Sequence, residues 1–132
     1  MLRVQSPLPD QVERLVTKTI GCCVAVHKEL GPGLLEAVYA RAMRIELTAS
    51  GIAFESERLV SVTYRGMFLC HQRLDLIVDG AVVLELKSIE RLGPIHRAQL
   101  LNYLRISSLR IGLLVNFNVP VLQDGLRRII IL

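Results

Sequence analysis

With 132 residues, the chain is long enough for one hydrophobic core and too short for two. Apolar residues make up 52% of it, yet Trp is absent and aromatics reach only 5%, so an aliphatic core is expected. The net charge of +4 permits an anionic partner without requiring one, and the apolar run Ile20 to Val26, between Lys18 and Lys28, falls short of the roughly 18 to 20 residues of a membrane span.

The first residues lack the charged, apolar and small-residue order of a signal peptide. A cytoplasmic protein with no membrane partner is therefore expected. From Pro9 to Leu30, Val12, Leu15, Val16, Thr19, Ile20, Cys23 and His27 recur at helical spacing. Asp10, with Glu13 three residues on, reads as an N-cap with a capping box. Gly31-Pro32-Gly33 ends this helix. A second runs from about Leu34 to Ser50 and closes on Gly51, with Leu35, Val38, Ala42, Ile45 and Leu47 expected to face the core. Residues 53–64 and 67–78 then read as strands joined by an Arg65-Gly66 turn. Asp79-Gly80 signals a two-residue hairpin into a third strand, 81–89, whose nearly unbroken apolar run predicts burial on both faces. Gly93-Pro94 leads into a helix from about Ile95 to Ser107, with Leu100, Leu101 and Leu104 apolar. Residues 109–117 form another buried strand, and "RRIIIL" closes the chain as a short one. The order ααβββαβ(β) predicts a single α/β domain over residues 1–132, a mixed sheet flanked by helices. Cys22, Cys23 and Cys70 make neither a C-x-x-C pair nor a zinc set, and are expected to be buried, reduced thiols.

Charges in segments that want to be apolar carry the functional signal. Asp75 interrupts "LDLIV", and Glu85 and Lys87 interrupt "VVLELKSI". Alternation puts Glu85 and Lys87 on one face of their strand and Leu84 and Leu86 on the other. A two-residue turn at Asp79-Gly80 would set Val78 against Ala81 and Asp75 against Leu84, leaving Glu85 a diagonal step away. A longer turn would bring the two carboxylates level. Two readings stand open: a Glu85–Lys87 ion pair or exposed strand edge, or carboxylates that bind a divalent cation beside an ammonium. On the next helix, His96, Gln99 and Tyr103 form a polar stripe, either solvated or in contact with phosphates. Glu36, straight after the Gly-Pro-Gly turn, is a surface charge or a group aimed into a cleft.

Several of these stretches together resemble a known family. "LD" followed by "LELK" is similar to the D…(D/E)-x-K signature of the PD-(D/E)XK nuclease superfamily, and "QLLNY" resembles the Q-x-x-x-Y motif of its RecB-like and lambda-exonuclease-like branches. "GLLEAVY" has the pattern that names the GxxExxY protein family, placed in that superfamily. The likeness spans about Val12 to Ile129, and includes "HKELGPGLLE", "HRAQLLNYLR" and "GLLVNF"; Leu74 stands where the name of the superfamily has proline.

The resemblance implies a restriction-endonuclease-like core and a metal-dependent nuclease acting on DNA. Asp75 and Glu85 would be ligands to Mg2+ or Mn2+, with the Leu86 carbonyl offering a third oxygen and Glu36 a further carboxylate, directly or through water. Lys87 would activate the attacking water and stabilise charge on phosphorus. Gln99 and Tyr103 would hold the strand or order the site, with His96 and Tyr39 as weaker candidates. Arg41, Arg44, Arg73, Arg91, Arg97 and Arg105 would supply phosphate contacts around the acidic centre. The competing reading is a catalytically silent nucleic-acid-binding or assembly module on the same fold. A third is a homo-oligomer built on the exposed edge of "RRIIIL".

Overall fold

The computed structural model describes residues 6–131. Helices α1 (Asp10–Leu30) and α2 (Glu36–Ala49) precede strands β1 (Phe54–Tyr64), β2 (Met67–Val78) and β3 (Val82–Lys87). Helix α3 (Pro94–Ser107), strand β4 (Ile111–Asn116), a 3-10 turn (Leu122–Gly125) and strand β5 (Leu126–Ile130) complete the chain. The strands lie in the order β1-β2-β3-β4-β5. Only β3 and β4 run parallel, because α3 carries the chain across between them. This is the α/β mixed sheet that the alternating periodicities predict.

Helices cover both faces. Leu76, Val78, Leu84, Leu86, Leu113 and Val115 pack under α1 and α2, while Leu74, Ile77, Val83 and Leu114 pack under α3 through Leu100 and Leu104. Every residue of β3 before Lys87 is buried, which is why its sequence is nearly unbroken in apolar character. No helix is long and apolar enough to cross a membrane, among the described residues.

Three local expectations are corrected. Asp10 is not the cap of α1: Pro9 holds that position, and its carbonyl accepts the Val12 and Glu13 N–H groups at 3.0 Å. Glu13 instead bonds Ser6 and, across the molecule, Arg128 of β5, whose guanidinium is the first reason that its carboxyl is lowered to about 2. Helix α2 buries Tyr39, Met43 and Leu47, whereas Leu35 and Ile45 are 77% and 64% exposed. The helix offers two apolar stripes. The one that wins carries a tyrosine whose ring stacks on Phe117, centroids 4.5 Å apart, and whose hydroxyl finds a partner in the preceding turn. Finally, Cys22 and Cys23 are buried, the Cys23 thiol pushed up to about 12 chiefly by burial, but Cys70 is exposed.

The end of α2 follows its sequence signal closely. Gly51, at φ 71°, donates to Thr48 and Ile52 donates to Leu47, the paired bonds of a Schellman motif. The distal part of the β1–β2 hairpin outgrows the sheet, since β2 meets β3 only from Leu76 to Val78. Leu59, Tyr64, Met67, Phe68 and Leu69 are exposed there.

One glycine is fixed by close approach. A Cβ on Gly125 would lie 2.2 Å from the Asn116 carbonyl oxygen at the end of β4. Gly125→Ala is expected to destabilise the fold by about 1 to 3 kcal/mol, the usual range for forced overpacking. Urea unfolding should show a lower midpoint with an unchanged slope.

Candidate metal centre

The site begins with the turn between β2 and β3. Asp79 and Gly80 adopt φ 48° and 66°, and the Ala81 N–H closes the turn on the Val78 carbonyl at 3.0 Å, as a two-residue hairpin signal requires. Ala81, however, stays outside the ladder. Val78 pairs with Val82, Ile77 with Val83 and Leu76 with Leu84. The extra residue corrects the expected register by one step and sets Asp75 level with Glu85.

Beyond Leu76 and Leu84 the carboxylates take over from the main-chain ladder. The Asp75 N–H donates to Glu85 Oε1 at 3.1 Å, and the Leu86 N–H donates to Asp75 Oδ2 at 2.9 Å. Each acid thus accepts a main-chain N–H of the opposite strand, while Asp75 Oδ1 and Glu85 Oε2 have no hydrogen bond within the described residues. On the other side of β2, Glu57 takes φ 57°, and the β1–β2 pairing skips the Glu57–Asp75 position.

Glu85 is buried, and desolvation first, then the charge of Asp75, raises its carboxyl well above the usual range; Lys87 opposes this. Glu36 is the first residue of α2. Its carboxyl is raised by partial desolvation and then by Asp75, with Lys87 again opposing, so the four groups share one field. Lys87 is half-buried and has no carboxylate within 4 Å among the described residues. The Glu85–Lys87 ion pair, one of the two readings open from sequence, does not form. No three His, Cys, Asp or Glu side chains among the described residues stand together as a ready metal-chelating group. The donors that do fit a hard cation are the two free carboxylate oxygens, whose mutual repulsion a positive ion would relieve.

The surroundings hold these groups in place. The Phe117 N–H donates to the Lys87 carbonyl at 2.9 Å. Asn116, buried at the end of β4, accepts the Ile89 N–H at 3.1 Å and donates to the Ile89 carbonyl at 2.9 Å. Ser88 donates to the Leu34 carbonyl at 2.5 Å, joining the end of β3 to the segment before Glu36. Tyr39 is fully buried: its hydroxyl donates to the Gly31 carbonyl at 2.5 Å and accepts the Leu34 N–H at 3.2 Å. It cannot touch a substrate, so its expected binding role is corrected to fixing the Gly-Pro-Gly turn that starts α2. Asn116, Ser88 and Phe117 are the positioning residues that the sequence reading missed. Only the asparagine left a trace, as a lone amide ending the apolar run "IGLLVN".

On α3, His96 Nδ1 accepts the Gly93 N–H at 2.8 Å and caps its own helix. Gln99 and Tyr103 line a cleft beneath the β1–β2 hairpin, where the Tyr103 hydroxyl accepts from Gln72 Nε2 at 3.0 Å. Leu86 has its side chain in the core, and its N–H is the one that Asp75 holds. The arginines do not form one track. Arg41 and Arg44 lie on α2, and Arg97 and Arg105 on α3, across the sheet from it; Arg73 lies 3.9 Å from Glu57.

A family model described as the PD-(D/E)XK nuclease superfamily matches residues 13–129. No curated protein and no solved structure matches the chain.

Asn116→Ala strips two partners from the half-buried Ile89 main chain and removes a buried amide. It should lower stability by about 1 to 3 kcal/mol, read by chemical denaturation. A pH dependence also follows. In the metal-free protein Glu85 titrates at about 8 rather than 4.5, so between these values the folded state binds more protons than the unfolded one. Stability is then fully present below pH 4.5 and declines as pH rises toward about 8. Glu85→Gln should flatten this decline when both proteins are unfolded by urea in EDTA across that window.

Proposed function

The chain belongs to the PD-(D/E)XK nuclease superfamily, and we propose that it is a metal-dependent nuclease hydrolysing phosphodiester bonds in DNA. One observation carries this reading. Asp75 and Glu85 stand level on adjacent strands, each with one oxygen on the other strand's N–H and one oxygen left over, beside a lysine with no ion-pair partner among the described residues. Mg2+ or Mn2+ would be held by Asp75, Glu85 and the Leu86 carbonyl, with Glu36 reaching it directly or through water. A bound ion of this kind lowers the pKa of water and offsets negative charge on phosphorus.

The chain's own groups supply the rest. Lys87 follows Glu85 by two residues and so projects from the same face of β3. Its ammonium is free to hold the attacking water and to stabilise the charge that grows on the phosphoryl oxygens. Glu36 adds a carboxylate at the N-terminus of α2, where the helix dipole favours negative charge. Gln99 and Tyr103 would hold the nucleic-acid strand from α3. His96, with Nδ1 engaged in its own cap, has only Nε2 left for that task.

A second reading, a binding module without turnover, is favoured by the absence of a ready three-residue chelating group among the described residues. One assay separates the two. Purified protein with Mg2+ or Mn2+ is expected to cleave DNA and to lose all activity in EDTA. Lys87→Ala should lower the rate by at least about 100-fold, the scale of removing one transition-state stabiliser. Metal-independent binding with no cleavage would support the module instead, and activity undiminished in Lys87→Ala would mean a contaminating nuclease.

A further inference from the structure

One cavity of the molecule lies apart from Asp75 and Glu85. It is a cleft of about 650 Å3 between the projecting β1–β2 hairpin and α3. Its polar lining is Ser61, Thr63, Gln72, Gln99, Asn102 and Tyr103, and its apolar walls are Val62 and Ile106. No lining residue carries a charge, although the whole chain is basic. Gln72 lies three residues before Asp75 on β2, so the cleft opens about 10 Å along the strand from the carboxylates. A short oligonucleotide reaches both.

The chemistry of the lining is specific. Gln72, Gln99 and Asn102 each offer an amide donor beside an acceptor, the arrangement that matches the hydrogen-bonding edge of a nucleobase. Val62 and Ile106 line the same cleft and offer apolar surface to a flat ring. A phosphate would find no cation inside. At the rim it would: Arg105 Nη1 lies 3.5 Å from Asn102 Oδ1, on the exposed side of α3. Neutral amides within and a guanidinium at the edge describe a receptor for a base turned inward and its phosphate left outside. In a duplex those base edges are already paired, whereas in a single strand they are free to be splayed and read.

Building on the nuclease reading, we infer that this cleft binds an unpaired nucleotide of the strand to be cut, and that the substrate is single-stranded or locally unpaired nucleic acid. The binding is independent of the carboxylate pair and can be tested apart from cleavage. A fluorescently labelled single-stranded oligonucleotide and the blunt duplex of the same sequence are titrated with the full chain in EDTA, by anisotropy. The single strand is expected to bind about tenfold more tightly, the worth of one held base. Asn102→Leu, on an exposed helical position, should remove that preference and leave duplex binding unchanged. Ser61→Tyr, which fills the cleft, should do the same, with circular dichroism confirming that both variants fold. Equal or tighter binding of the duplex, or a preference that survives in both folded variants, would overturn the inference. A single-strand preference in a protein that never cleaves with Mg2+ or Mn2+ would sink the nuclease reading and keep the cleft. Cleavage of both substrates, unaffected by Asn102→Leu, would do the reverse.

Discussion

Two carboxylates that face each other across antiparallel strands repel, and the reciprocal bonds of Asp75 and Glu85 to main-chain N–H groups are what make that arrangement tolerable. Each bond replaces a rung that the diverging strands can no longer make. The bonds offset only part of the cost of burial, and the residue of it is visible in the raised carboxyl of Glu85. The surrounding sheet is built to sustain this one unfavourable spot. Apolar residues fill both faces of β3 and of β4, so that a few polar groups can be held at the strand ends. Lys87 then lies on the same face as Glu85 without an ion pair among the described residues.

Support for the site comes from far along the chain. Asn116 and Phe117 at the end of β4 grip the main chain of Lys87 and Ile89, and Phe117 also stacks on Tyr39. Tyr39 in turn holds the turn from which Glu36 emerges. One aromatic stack therefore ties the helix-borne carboxylate to the strand-borne lysine. The grip is made of hydrogen bonds to backbone, which fix position more tightly than apolar contact alone.

Much of this was legible in the sequence, and the exceptions share a cause. Elements were readable because hydrophobic periods of 3.6 and 2 differ sharply, and Gly51 and Gly93-Pro94 punctuate them. The Asp75, Glu85 and Lys87 positions were readable as charges inside apolar runs, and the family match agrees with the fold they sit in. What failed was choice between near-equivalent alternatives. Helix α2 carries two apolar stripes, and only the fit of Tyr39 to Gly31, Leu34 and Phe117 selects one. Pro9 displaced Asp10 as the cap of α1, and Glu13 turned to Arg128, a residue more than a hundred positions away. Asn116 and Ser88 act through the backbone of other segments, and such contacts leave no periodic mark.

Surface turns are ordinarily where a chain gains or loses residues without harm. That freedom ends where the ladder begins, because strand side chains alternate with a period of two. Delete Ala81, which stands outside the ladder, and Val78 still meets Val82; delete a residue between Val82 and Glu85 instead, and Glu85 and Lys87 pass through the sheet into the aliphatic layer beneath α1 and α2. A residue lost from the strand breaks the phase that the loss of Ala81 leaves intact. The count of residues from Val82 to Glu85, and not the length of the turn, sets the face on which Glu85 and Lys87 stand.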